Sequence, residues 1–351
     1  MKSLRMRRNR ELYFLGLPDP PEPGPDEVLV RMKYASICGF DMMMLNGKAA
    51  YPKNGVLGHE GSGIIEAVGK RVSPAEFKPG DRVVVDPYIY CGHCYPCSIG
   101  RTNCCTDLKV LGVHVDGGMA EYFTHPADLL VKIPEKMTWE EAAMAEPLTI
   151  SLHGIHRGGF KAGEYCAIIG AGPIGLVAGM VAQAYGGHAI LLDLVQERLD
   201  FAKSLGIEHV INSGKEGAAE RIAEITGGQM AQQVMECSGA NSAIRSTLDY
   251  VSNAGRITLT GWPKKETSIP TDMITKKEID IRGARTSAGE FEEALDLIYT
   301  KKVDMNQILT KVVTIEEAPD TIVDIEKNPG DYMKVVVRIG DTGKNNIANE
   351  S

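Results

Sequence analysis

Between Tyr165 and Asp193 the chain reads YCAIIG, GAGPIG, LVAGMVAQAYG and AILLD: an apolar strand, a glycine turn, an apolar helix and a second strand. No other stretch limits the fold as tightly, because a strand that turns on glycines into a helix begins a doubly wound parallel sheet. Gly170, Gly172 and Gly175 fit the G-x-G-x-x-G pattern in that context. The first permits the tight turn, the second lets a pyrophosphate approach the backbone, and the third lets the helix pack closely. Gly170, Gly172, Pro173, Ile174 and Gly175 therefore form the candidate nucleotide loop. Asp193 closes the second strand about twenty residues on, where a carboxylate hydrogen-bonds the adenine ribose hydroxyls and repels a 2′-phosphate. That favours NAD over NADP. Arg198, downstream in ERLDFAKSLG, pulls the other way if it receives a phosphate, or else lies over the adenine.

The stretch from Cys166 to Gly186 is uncharged and, on length alone, long enough for a membrane span. Its glycines and Pro173 suit a strand, a loop and a buried helix instead. Beyond it, HVINS, QVMECSG, GRITLTG and IDIRGAR read as further short strands to residue 287. A helix is expected over EFEEALDLIYTKK, and strands over LTKVVTI and YMKVVVRI, with DTGKNNIANES as a polar tail. GRITLTGW is apolar enough to pair edges across a dimer or to lie inside the sheet. With 351 residues the chain suits two domains. A net charge of -8 argues against a nucleic-acid partner. The basic start MKSLRMRRNR is followed by no apolar run of a secretory signal, which places the protein in the cytoplasm, with no membrane partner.

Five of the eight cysteines fall in YCGHCYPCSIGRTNCC. Disulfides suit neither the compartment nor the density. The two C-x-x-C pairs are followed by Tyr95 and Ser98, not by the histidine of haem attachment, and the spacing matches no common iron-sulfur run. A four-thiolate zinc site remains: Cys91, Cys94 and Cys97 three apart, with Cys105 returning. Four thiolates close a tetrahedron, so that zinc would be structural. The pairing with Cys104 as ligand and Cys105 free stays open on spacing alone.

ICGFD, GHEGSG and AEPL supply Cys38, His59, Glu60 and Glu146 from distant parts of the chain. Taken singly, Cys38 reads as a small buried hydrophobe and His59 as a satisfied core histidine. Together, one thiolate, one imidazole and one or two carboxylates make a mixed metal site with a position left for water or substrate.

The order ICGFD, GHEGSG, GDRVVV, the four-cysteine loop, DGGMAEY, AEPL, GAGPIG resembles the zinc-dependent medium-chain dehydrogenases along nearly the whole chain. The glutamate of AEPL, where simple alcohol dehydrogenases have cysteine, is similar to the polyol and sugar dehydrogenase branch. The resemblance implies an α/β chain: a GroES-like, mostly-β catalytic domain over 1–150 and 288–351, and a Rossmann cofactor domain over 151–287. It implies two zinc ions per chain, with Cys38, His59 and Glu146 around the catalytic one and Glu60 moving in or out. Asp41 matches the carboxylate that orients the zinc-bound histidine. A homodimer or homotetramer is the expected assembly.

The implied reaction is hydride transfer from a secondary alcohol to NAD, with zinc acidifying the hydroxyl. In the family the proton leaves through a serine or threonine just after CG and a histidine a few residues later. Here those places hold Phe40 and Met43, so the expected route runs through Glu60, Glu146 or His114, unless the enzyme is crippled. GRTNCC with VLGVHVDGGMAEY is similar to members that oxidise sugar acids and related polyhydroxy acids. His114 would then face the substrate, and Arg285 would bind a carboxylate or vicinal hydroxyls. Otherwise His114 is a strand-end residue bonded to backbone and Arg285 a surface charge. The rival readings are an L-threonine dehydrogenase-like activity and a non-catalytic nucleotide-binding regulator.

Overall fold

In the computed structural model, which describes residues 1–7, 9–16, 20–47 and 55–340, the strand Tyr165–Ile169 turns into the helix Pro173–Ala184 and out to the strand His188–Asp193. These open a six-stranded sheet in the order His209–Asn212, His188–Asp193, Tyr165–Ile169, Ala231–Glu236, Val251–Leu259, Asp280–Gly283. Every neighbouring pair is parallel. The inner strands are near-continuous apolar runs because helices cover both faces of such a sheet. Ala167, Ile169, Ile190, Leu192, Ile211, Val234 and Ile257 form its core. GRITLTG lies between two partners inside the sheet, whose edges are His209–Asn212 and Asp280–Gly283. The uncharged stretch from Cys166 is a strand and a 12-residue helix. No helix among the described residues is long and apolar enough to cross a membrane.

This sheet belongs to the compact unit Pro147–Gln307. The helix Phe291–Tyr299 counts with it, where the sequence placed the return to the first domain at residue 288. The cause is local: its buried face of Phe291, Ala294, Leu295 and Ile298 needs cover, and Glu290 at its N-terminus holds His153 Nδ1 at 2.7 Å.

The other unit, Met1–Glu146 with Ile308–Ser351, is built on the strand Glu27–Ile37. That strand pairs antiparallel with Gly61–Val68, Tyr122–Pro126 and Lys334–Arg338. Val28, Val30, Met32, Val83, Val85, Val335 and Val337 fill its core. The register has a functional consequence. Val335 lies opposite Ile37 and Ala35 opposite Gly61. Cys38 just past one strand, Glu60 just before the second and Lys334 at the start of the third therefore emerge at the same end of the sheet. A small lobe projects from this unit, in which Tyr88–Ile89 pairs with Lys109–Val110 and the helix Tyr95–Ser98 follows.

Candidate metal and nucleotide sites

Cys38 is the N-cap of the short helix Gly39–Leu45. Its Sγ accepts from Phe40 N at 3.5 Å, and Asp41 Oδ2 accepts from Cys38 N at 2.9 Å, so the two close a capping box. Asp41 Oδ2 is thus engaged with the cap of Cys38, while the Asp41 charge also acts on the His59 imidazole. His59 Nδ1 and Asp41 Oδ1 are both buried without a hydrogen-bond partner. Orphaned buried acceptors are costly unless a further group satisfies them.

The donor atoms of Cys38, His59 and Glu60 lie within 4.8 Å of one another. Glu146, in the first turn of the helix Ala145–Gly158, falls outside that group, and its Oε1 accepts from the Tyr88 hydroxyl. Lys334 Nζ donates to Glu60 Oε1 at 2.6 Å. Burial alone would push the His59 imidazole down, but Cys38, Asp41 and Glu146 raise it well above its ordinary value. Burial, and then the Glu60 charge, push the Glu146 carboxyl up to about 7. Three carboxyl groups and a thiol thus crowd one ammonium and one imidazole, out of water. A divalent cation fits that excess of anionic donors.

In the lobe, the sulfurs of Cys91, Cys94, Cys97 and Cys105 also lie within 4.8 Å of one another. Cys105 is in the cluster and buried, and Cys104 is exposed. Cys105 Sγ accepts from Cys91 N and Asp107 N, both at 3.3 Å. The Thr106 amide holds Cys94 down at about 5, whereas burial and the Cys94 sulfur push Cys97 up to about 12. Four sulfurs at this spacing could hold a cation as thiolates, and soft sulfur donors suit zinc.

The glycine loop has the same clarity. Gly170 holds φ +108°, and a Cβ on Gly175 would sit 1.8 Å from the Gly170 carbonyl oxygen. A Cβ on Gly172 would meet nothing within 4 Å, which leaves the space a pyrophosphate needs. Asp193 Oδ2 accepts from Ala171 N at 2.7 Å, and Oδ1 accepts from Leu194 N at 2.8 Å and Val195 N at 2.9 Å. These amides fix a negative charge at the end of the second strand. Arg198 Nη1 stands 3.9 Å from it.

Residues 24–135 match the family model of the alcohol dehydrogenase GroES-like domain, and residues 173–300 that of the zinc-binding dehydrogenases. A zinc-type alcohol dehydrogenase-like protein of Haemophilus influenzae is 51% identical over 318 residues, 90% of this chain and 92% of its own. The chain belongs to the zinc-binding alcohol dehydrogenase family. The sorbitol dehydrogenase of Bacillus subtilis is 35% identical, with 88% of each chain covered. Among solved structures, an Escherichia coli CFT073 alcohol dehydrogenase, RspB, complexed with NADH, matches with a TM-score of 0.90 at 34% identity, covering 96% of this chain and 99% of that one.

As a zinc-binding dehydrogenase the chain is an oxidoreductase of alcohols, and its departures from the family pattern now have positions. Phe40 packs partly against the core of the first unit, and Met43 is half-buried on the same helix. His114 is exposed and its Nδ1 accepts from Val110 N at 3.0 Å. Arg285 is half-buried in the second unit, just after the strand Asp280–Gly283. Two residues of the first site carried no expectation. Lys334 was legible only as a lone cation opening the apolar run KVVVR, and Tyr88 as one of two tyrosines leading into the cysteine loop.

Proposed function

We propose that this dehydrogenase moves hydride from a secondary alcohol of a polyol or sugar acid to NAD. The observation that carries the reading is the convergence of the half-buried Cys38 with the buried His59 and Glu60 at one end of the sheet. These three residues, with Glu146 beside them, would hold the catalytic zinc, and Cys91, Cys94, Cys97 and Cys105 the structural one. When bound, zinc supplies the Lewis acidity that makes an alcohol hydroxyl give up its proton near neutral pH, and the nicotinamide supplies the hydride acceptor.

The chain's own residues do the rest. His59 and Cys38 offer donor atoms fixed by the strand ends and the helix cap. Lys334 offsets the Glu60 charge, so that two carboxylates share a small dry space. Phe40 and Met43 carry no exchangeable proton, so the substrate proton would pass to Glu60, Glu146 or His114. Gly170, Gly172, Pro173, Ile174 and Gly175 cradle the pyrophosphate, and the amide-held Asp193 favours NAD over NADP by repelling a 2′-phosphate. Arg285 would pair with a substrate carboxylate or with vicinal hydroxyls. The solvent-facing edge strand Asp280–Gly283, with Ile281 exposed, suits a homodimer or homotetramer. Thiol clusters of this kind persist in a reducing cytoplasm.

The test is zinc content together with NAD reduction on purified protein, across aldonates, uronates, polyols and threonine. About two zinc ions per chain with turnover of a polyhydroxy substrate is the expected result. A single zinc and no turnover would overturn the catalytic reading and leave a nucleotide-binding regulator, and threonine as the preferred substrate would overturn the substrate class.

A further inference from the structure

Two carboxylates approach the candidate zinc cluster, and each has its own buried partner. Glu60 is paired with the Lys334 ammonium and stays in the ligand group, whereas Glu146 is bonded to the Tyr88 phenol and lies outside it. Tyr88 is only 4% exposed and is held from three sides. Its N–H donates to Asp86 Oδ1 at 3.1 Å, its strand pairs it with Val110, and its ring packs with Cys105 and Leu108 in the core of the cysteine lobe. The hydroxyl that holds Glu146 is therefore anchored by the other candidate metal centre.

We propose that Tyr88 is a positioning residue: it draws Glu146 out of the cluster, so that Cys38, His59 and Glu60 carry the metal and the remaining position stays available to substrate. The cysteine lobe then sets the geometry of the catalytic cluster through a single phenol. This inference rests on the reading of Cys38, His59 and Glu60 as zinc ligands. It goes beyond that reading in saying which carboxylate is kept away and by what. Zinc accepts carboxylate oxygen readily, so a Glu146 released from its tether would compete for the position that substrate needs.

The test is Tyr88→Phe, which keeps the ring in the lobe and removes only the hydroxyl. Three readouts are taken on the loaded protein: the rate at which a chelator strips each zinc, the visible spectrum of the cobalt-substituted cluster, and kcat and KM separately. The expected result is that metal leaves the cluster about tenfold more slowly, on the scale of outer-partner effects. The cobalt bands weaken as the coordination number rises, and kcat falls. The lobe zinc is retained, which reports that the fold is intact. In Glu146→Gln the same hydroxyl deletion should change none of the three, because the competing carboxylate is gone. Chelation kinetics and cobalt spectrum identical to the parent would overturn the proposal, as would faster metal loss, which would make Tyr88 the residue that presents Glu146 to the metal. A separate variant, Cys38→Ser, tests the underlying reading. If it leaves the zinc count unchanged, the cluster is not a zinc site, whatever Tyr88 does.

Discussion

Lys334 and Glu60 form an ion pair from which water is nearly absent: Nζ lies 2.6 Å from Oε1, and the side chains are 4% and 1% exposed. They come from strands whose register sets them at the same end of one sheet, although 274 residues separate them in the chain. A pair this buried contributes little net stability, because desolvation offsets the attraction, but breaking it leaves an uncompensated charge. Lys334→Met is expected to destabilise the first unit by about 3–5 kcal/mol, read from urea unfolding. Adding Glu60→Gln should restore most of that loss. A Lys334→Met protein as stable as its parent would mean that Glu60 has another countercharge.

The glycine loop separates a packing role from a binding role. A methyl group on Gly175 would collide with the Gly170 carbonyl oxygen, whereas one on Gly172 enters open space. Gly175→Ala should therefore lower the thermal stability of the cofactor-free protein, by about 1–3 kcal/mol as for other overpacked sites. Gly172→Ala should leave that stability unchanged and weaken NADH binding about tenfold or more, measured by fluorescence titration, because the methyl takes the place of the pyrophosphate. Undiminished NADH binding by Gly172→Ala would place the pyrophosphate elsewhere.

These positions show what the sequence made legible. The glycine loop and the cysteine lobe are read from short spacings, since every participating residue lies within one strand-turn-helix unit or one loop. The cluster of Cys38, His59 and Glu60 is legible only as a set, because strand register, which no local pattern encodes, brings it together. Lys334 escaped for the same reason. Asp41 carries a local signal besides the resemblance: the spacing Cys-x-x-Asp is that of a capping box, and the structure uses it so. The boundary near residue 288 moved to 308 because the burial of a helix face and a His153–Glu290 contact, both tertiary facts, decide where the helix Phe291–Tyr299 belongs.

The lobe's thiols give a chemical test of the four-cysteine site. All eight cysteines of the chain are free, and of the five in the lobe only Cys104 is exposed. In the zinc-loaded protein a thiol reagent should modify Cys104 rapidly and leave Cys91, Cys94, Cys97 and Cys105 protected. After chelation those four should react together, and the loop should become sensitive to proteolysis, since metal binding and local folding are linked. Rapid modification of Cys105 with Cys104 protected would exchange their roles.

His125 adds a pH dependence that is independent of any metal. It lies fully buried opposite Val28 in the strand Tyr122–Pro126, with Nε2 at 2.8 Å from the Asp86 carbonyl oxygen. Burial pulls its pKa down from 6.5 to about 4, against the pull of that one backbone hydrogen bond. Between those two values the unfolded chain binds the proton and the folded chain does not, so stability rises with pH across the window. The contribution is fully present above about pH 6.5 and is lost as the pH falls toward 4, to a total of roughly 3 kcal/mol. Urea midpoints at a series of pH values should therefore drop on acidification more steeply in the parent than in His125→Gln, whose amide can still donate to Asp86 but carries no titratable proton. Parallel profiles for the two proteins would show that another buried group is responsible for the acid sensitivity of this unit.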